Sequence, residues 1–177
     1  MTAQPSGAVW RLSSSSDPDA LAVVDGTGEW SGHGPHYSRR TPGSKTFTGV
    51  GREIVLVGLG CVWAVVQQQT PMPRGTGGSR GRDGNTVRTP TVWRNMMFRN
   101  LGECRSSDLI RAATAMTYCE WWKRYAELPS ARLRTEVDVR KVRSRNPGYC
   151  YLCAGWERGE TKRGKLFLYA PPPGAAA

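Results

Sequence analysis

The sequence predicts a single mixed α/β domain, and three observations predict it. Two β-branched runs at 52–58 and 61–67 flank a glycine-marked turn and read as a buried hairpin. A helical apolar period opens after Ser106-Ser107-Asp108. Shorter strand and helix signals then alternate to the end of the chain, giving the order β-β-β-α-β-α-β and a mixed sheet flanked by helices. At 177 residues the chain is one ordinary domain, able to bury a core without staples.

Each element has its own signal. Residues 1–30 hold four consecutive serines and few large apolar side chains, so they read as a flexible N-terminal leader with a short strand at 21–24. From 31 to 170 the chain reads as the folded domain. The stretch 30–51 is a loop by its Gly, Pro, Ser and Arg content, and so is 70–90. Residues 91–98 form the next strand. A Ser N-cap and Asp108 in the first turn then start a helix with Leu109, Ile110, Ala113, Met116, Thr117 and Trp121 on one face. That helix runs to about Leu128, before Pro129. Residues 132–138 alternate as a strand. Pro147 opens a short helix to Ala154 with Gly155 at its end, residues 165–169 make the last strand, and 171–177 read as a disordered tail.

Composition narrows the function. The apolar stretch 54–66 is interrupted by Gly58 and Gly60 and is too short to span a bilayer. No basic-then-apolar leader marks a secretory signal. Five cysteines, an odd number, argue against a disulfide framework and for a reducing cytoplasm. Cys150 and Cys153 form a lone C-x-x-C, and without a second pair the cysteines read as small core residues.

Charge is the main positive clue. Lys and Arg total 25 against 14 acids, for a net charge of +11. The leader is mildly acidic and the body basic, which suggests a polyanionic partner: nucleic acid or a phosphate-bearing cofactor.

Arg99-Asn100-Leu101-Gly102-Glu103-Cys104 lies between a strand and a helix N-terminus. A glycine turn there can point backbone N–H groups at a pyrophosphate, with the helix dipole adding partial positive charge. Its plainer reading is an ordinary strand-to-helix turn. The pattern resembles the loop by which GNAT-type acyltransferases hold coenzyme A, with Cys104 at a position where that family has Gly or Ala. The resemblance implies cofactor binding by Arg99, Gly102, Cys104, Ser106 and Ser107. The downstream order (strand at 135–138, short helix near 147, closing strand at 166–168) fits the same superfamily and extends the likeness over about residues 50–170, so the resemblance implies a GNAT-like fold.

Within that superfamily, His36-Tyr37-Ser38-Arg39-Arg40 before the first sheet strands, and Asp138 near Asn146-Pro147-Gly148, resemble the phage Mom-type DNA modification proteins. The resemblance implies addition of a carbamoylmethyl group to the adenine amino nitrogen of phage DNA, protecting it from host restriction in the bacterial cytoplasm, with iron as a candidate metal. Its implicated residues fall on His36, Tyr37, Asp138, and Tyr149 or Tyr151. His36 and Asp138 are the ligand types that suit a divalent metal with open positions. Each also has a plainer reading: a loop histidine bonded to backbone, and an aspartate paired with Arg140 or Arg143. Tyr149 and Tyr151 are two apart on a short helix and face different ways, so at most one reaches a site.

Arg140, Lys141, Arg143 and Arg145 gather beside Asp138, and Arg39 and Arg40 beside His36. As a DNA clamp they would give salt-dependent affinity for duplex DNA; otherwise they form a solvated loop. A base inside a duplex must be flipped to be modified, and Tyr37 or Trp30 can stack on it. Two rival functions stand beside this one: an acyl-coenzyme A-dependent N-acyltransferase on a small amine or protein, and a non-catalytic DNA-binding protein on a GNAT-like fold.

Overall fold

The hairpin is the seed of the sheet. β2 (Arg52–Gly58) and β3 (Cys61–Gln69) pair antiparallel across the Leu59-Gly60 turn, from Gly58↔Cys61 to Arg52↔Gln67. Their runs are apolar on both faces because both faces are covered. Ile54, Leu56, Trp63 and Val65 join one buried cluster, and Val55, Val57, Val62 and Ala64 join another. The structure is a computed structural model of the chain; it describes residues 9–36, 44–48, 51–69, 91–142 and 144–174. The loop expected at 70–90, and Tyr37, Arg39, Arg40 and Arg143, lie outside the described residues.

Seven strands form one sheet in the order β1-β2-β3-β4-β5-β7-β6, with β1 at Arg11–Ser13, β4 at Thr91–Asn100, β5 at Arg134–Asp138, β6 at Glu157–Lys162 and β7 at Lys165–Tyr169. All neighbours are antiparallel except β4 and β5. That parallel pair requires a crossover, which α2 (Ser106–Tyr125) supplies. The fold is thus mixed α/β, as expected.

Indole nitrogens pin α2 to the sheet and its neighbours. Trp63 Nε1 donates to Thr117 Oγ1 at 3.0 Å, Trp156 Nε1 to Thr114 Oγ1 at 3.2 Å, and Trp10 Nε1 to the Leu109 carbonyl at 3.0 Å. These bonds satisfy polar atoms that burial would otherwise penalise. Leu109, Ile110, Ala113, Thr117 and Trp121 are buried as the periodicity required, and Met116 packs against them partly buried.

Several sequence expectations need correction. The N-terminal leader is not flexible over its described part: Trp10, Ala20, Val23 and Val24 are buried in the two cores. Residues 21–24 are helical, within α1 (Pro18–Asp25). The Asp17 side chain caps that helix by accepting from the N–H groups of Asp19 and Ala20, Pro18 sits at its start, and Gly26 closes it in the left-handed region at φ 65°. α2 is preceded by Arg105, not a serine cap, and stops at Tyr125 because Ala126 turns left-handed at φ 53°. The second short helix, α3, covers Tyr149–Cys153. β6 has no counterpart in the expected order. Pro171 is held in place, its carbonyl accepting from Tyr118 Oη at 2.7 Å, so the tail is ordered at its start.

Candidate active site

β4 and β5 touch only briefly. Their register runs through Arg94↔Arg134 and Asn95↔Thr135, and there it ends. The cause lies on the other edge of β4. Opposite Val65 stands Asn95, but opposite Ala64 stands Met97, so Met96 is an extra residue. A bulge bends its strand and breaks the ladder. Beyond it β4 continues to Asn100, while β5 ends at Asp138 paired with β7 alone. The two parallel strands therefore part, leaving an opening at their C-terminal ends.

Asn95 holds the point of the opening. It is buried, and its Nδ2 donates to the carbonyls of Ala64 at 2.9 Å and Met97 at 2.8 Å, tying the bulge together. Thr135 Oγ1 donates to the Asn95 carbonyl at 3.1 Å. Tyr151 Oη donates to Asn95 Oδ1 at 2.7 Å. α3 thus delivers one tyrosine to this point, against Phe98, Trp63 and Trp156. Tyr149 faces outward, 59% exposed. Of the two expected tyrosines, Tyr151 is the one brought to the opening.

Asp138 lines a cavity of about 230 Å³ beside Met96, Lys141 and Lys165. Its carboxylate is held by Arg140: Oδ1 accepts from Nε and from the backbone N–H, both at 3.1 Å, and Oδ2 accepts from Nη2 at 3.2 Å. That guanidinium keeps the acid below the usual carboxylate range. The ion-pair reading of Asp138 is the observed one. Arg140, expected on DNA, is instead engaged by Asp138; Lys141 lines the cavity and Arg145 is exposed.

His36 is not among the residues that line this cavity. Its backbone N–H donates to the Val24 carbonyl at 2.9 Å. Burial, and then the nearby Arg99 guanidinium, push its imidazole down to about 4, so it is neutral near pH 7. Asp138 is not among the groups that shift it. Arg99, expected in a phosphate loop, turns away from that loop. Nη1 donates to the carbonyls of Val23 at 2.8 Å and Val24 at 3.0 Å, and Nη2 to those of His33 at 3.3 Å and Gly34 at 2.6 Å. A guanidinium with those acceptors anchors the end of α1 to β4. Trp30, expected to stack on a base, packs over Gly60 at the β2–β3 turn.

Of the residues implied for iron, His36 feels the Arg99 guanidinium and Asp138 is paired with Arg140. Among the described residues no three His, Cys, Asp or Glu side chains gather as a metal site. Cys61 is buried, and Cys104 and Cys119 are exposed.

The loop from Asn100 to Ser107 is braced from within. Asn100 Oδ1 accepts from the Gly102 N–H at 3.1 Å, and its Nδ2 donates to the Cys104 carbonyl at 2.7 Å and to Ser106 Oγ at 3.1 Å. A Cβ on Gly102 would lie 2.7 Å from the Leu59 carbonyl oxygen, so glycine is needed there for close approach to the β2–β3 turn. Ser107 is buried. α2 opens with no side-chain cap, which leaves N–H donors at its N-terminus.

Sequence reasoning missed Asn95, Thr135, Arg94, Arg134, Glu136 and Lys165. The available signal was Arg94-Asn95 inside the strand run Thr91–Asn100, since a polar pair in an otherwise apolar strand requires partners. Among the described residues, no helix is long and apolar enough to cross a membrane. No protein-family model, no curated protein and no solved structure matches the chain.

Proposed function

We propose that the chain is a GNAT-like transferase of the phage Mom type, adding a carbamoylmethyl-like group to the adenine amino nitrogen of DNA. The observation that carries this reading is the opening between β4 and β5, with Asn95 and Tyr151 at its point and Asp138 at its rim. The order of elements after β4 (helix, strand, short helix, closing strand β7) matches the one the resemblance implies apart from the added strand β6, which supports a GNAT-like arrangement. The net charge of +11 supports a polyanionic substrate.

In this reading the flipped adenine enters between the parted strands. Its amino nitrogen forms the new N–C bond to the transferred carbon as that carbon's bond to an activated small-molecule donor breaks and the donor's leaving group departs with the electron pair. The proton lost from nitrogen passes to the ionised Asp138 carboxylate. Tyr151, held by Asn95, fixes the aromatic wall against which the base rests.

A second reading, an acyl-coenzyme A-dependent N-acyltransferase, is favoured by one feature: the uncapped α2 N-terminus beyond the Gly102 turn, whose free N–H groups suit a pyrophosphate. Mass spectrometry of nucleosides from cells expressing the protein separates the two. A new adenosine adduct supports DNA modification. Unmodified DNA with acylated amines supports the second reading, and unmodified DNA bound by the protein leaves a binding function alone.

A further inference from the structure

On the face of β4, β5 and β7 that carries the cavity, cations outnumber acids. Arg94 and Arg134 are register partners across the parallel pair, so their side chains stand next to each other on one face. Between them lies Glu136, whose Oε1 meets Arg134 Nη2 at 3.4 Å and Arg94 Nη1 at 3.8 Å, and whose Oε2 accepts from Lys165 Nζ at 3.0 Å. Lys141 completes the lining, while Asp138 is matched by Arg140. One carboxylate thus serves three cations, with a fourth nearby. Arg94 Nε and Arg134 Nε are buried with no hydrogen-bond acceptor among the described residues. The Arg134 guanidinium lies 5.1 Å from the centre of the Phe167 ring, which limits the directions it can take. The Arg94 guanidinium and the Lys141 and Lys165 ammonium groups line a cavity of about 230 Å³, and the half-buried Arg134 guanidinium adjoins it through Glu136. Together they present the donor pattern that phosphate oxygens accept.

We propose that this cluster is a phosphate-binding site, and that Glu136 is its internal counterion, holding Arg94, Arg134 and Lys165 in place for an incoming oxyanion. The proposal rests on the reading of the adjoining opening as a site that acts on DNA. The phosphate is either a backbone diester of the strand that enters, or a phosphate carried by a small nucleotide.

The test measures binding of a 20-base-pair duplex by fluorescence anisotropy across a potassium chloride series, and binding of ADP by calorimetry. The variants are Arg94→Gln, Arg134→Gln and Lys165→Gln, with Arg158→Gln on the exposed strand β6 as a charge-matched control. Thermal melting confirms folding, and Lys165, half exposed, keeps the test open where an arginine variant fails to fold. For a backbone diester, each pocket variant should flatten the slope of log affinity against log salt by about 0.9, with the Arg158 variant unchanged. For a small nucleotide, ADP affinity should fall about tenfold or more in the pocket variants while the duplex slope holds. Pocket variants that match the Arg158 control in both measurements overturn the site. An adenosine adduct still formed by those matching variants overturns the site alone. Flattened slopes in a protein that forms no adduct leave the site standing and remove the modification reading.

Discussion

The Tyr151 hydroxyl donates to Asn95 Oδ1 at 2.7 Å, joining the short helix α3 to the bulge in β4 where the sheet opens. Asn95 uses both of its Nδ2 protons on the carbonyls of Ala64 and Met97, so this one bond fixes what remains of its side chain. Tyr151→Phe keeps the ring and removes the donor. A buried acceptor left without it should lower stability by about 1–3 kcal/mol. Adduct formation should fall further than Tyr149→Phe lowers it, because Tyr149 faces solvent. Urea denaturation with nucleoside analysis checks both; equal behaviour of the two variants would remove Tyr151 from the site.

Arg99 and Gly34 give the second expectation. Four carbonyls at the end of α1 and the turn after it accept from this one guanidinium. Arg99→Met should leave them unsatisfied and lower stability by about 3 kcal/mol, by the cost of stranded buried acceptors. Cleavage within residues 18–36 by a protease should quicken. A stable, protease-resistant Arg99→Met protein would mean that the residue does not anchor α1.

The contrast between these two residues shows what sequence made legible. The β2–β3 hairpin, the buried face of α2 and the strand Lys165–Tyr169 were readable because apolar residues recur there at strand or helix spacing. β6 was not, because Glu-Arg-Gly-Glu-Thr-Lys is polar on both faces and is a strand only through its pairing with β7. α1 carried its signals, Asp17-Pro18 before and Gly26 after, but an eight-residue apolar helix is easily taken for a strand. Arg99 was misread because nothing near it in sequence reveals acceptors 75 residues away. Asn95 was overlooked for the same reason: its worth depends on a bulge and on a tyrosine 56 residues further along.

His36 makes the protein sensitive to acid in a defined window. Its folded-state value, about 4, lies below the ordinary 6.5, so protonation favours the unfolded chain. This contribution to stability is complete above about pH 6.5 and is lost as pH falls toward 4. His36→Asn should narrow the loss of stability between pH 7 and pH 4.5, measured as the shift in urea midpoint. An identical pH profile in the variant would show that the imidazole is not held neutral by the fold.

The opening between β4 and β5 can be tested by asking where the target base goes. A duplex carrying 8-azidoadenine at the modified position, irradiated with the protein and mapped by peptide mass spectrometry, reports the residues that touch that base. The expected crosslinks fall within residues 91–100 and 134–142, around Met96, Phe98 and Asp138. Crosslinks confined to α1, or to the groove around Leu128 and Leu133 at the other end of the sheet, would contradict it.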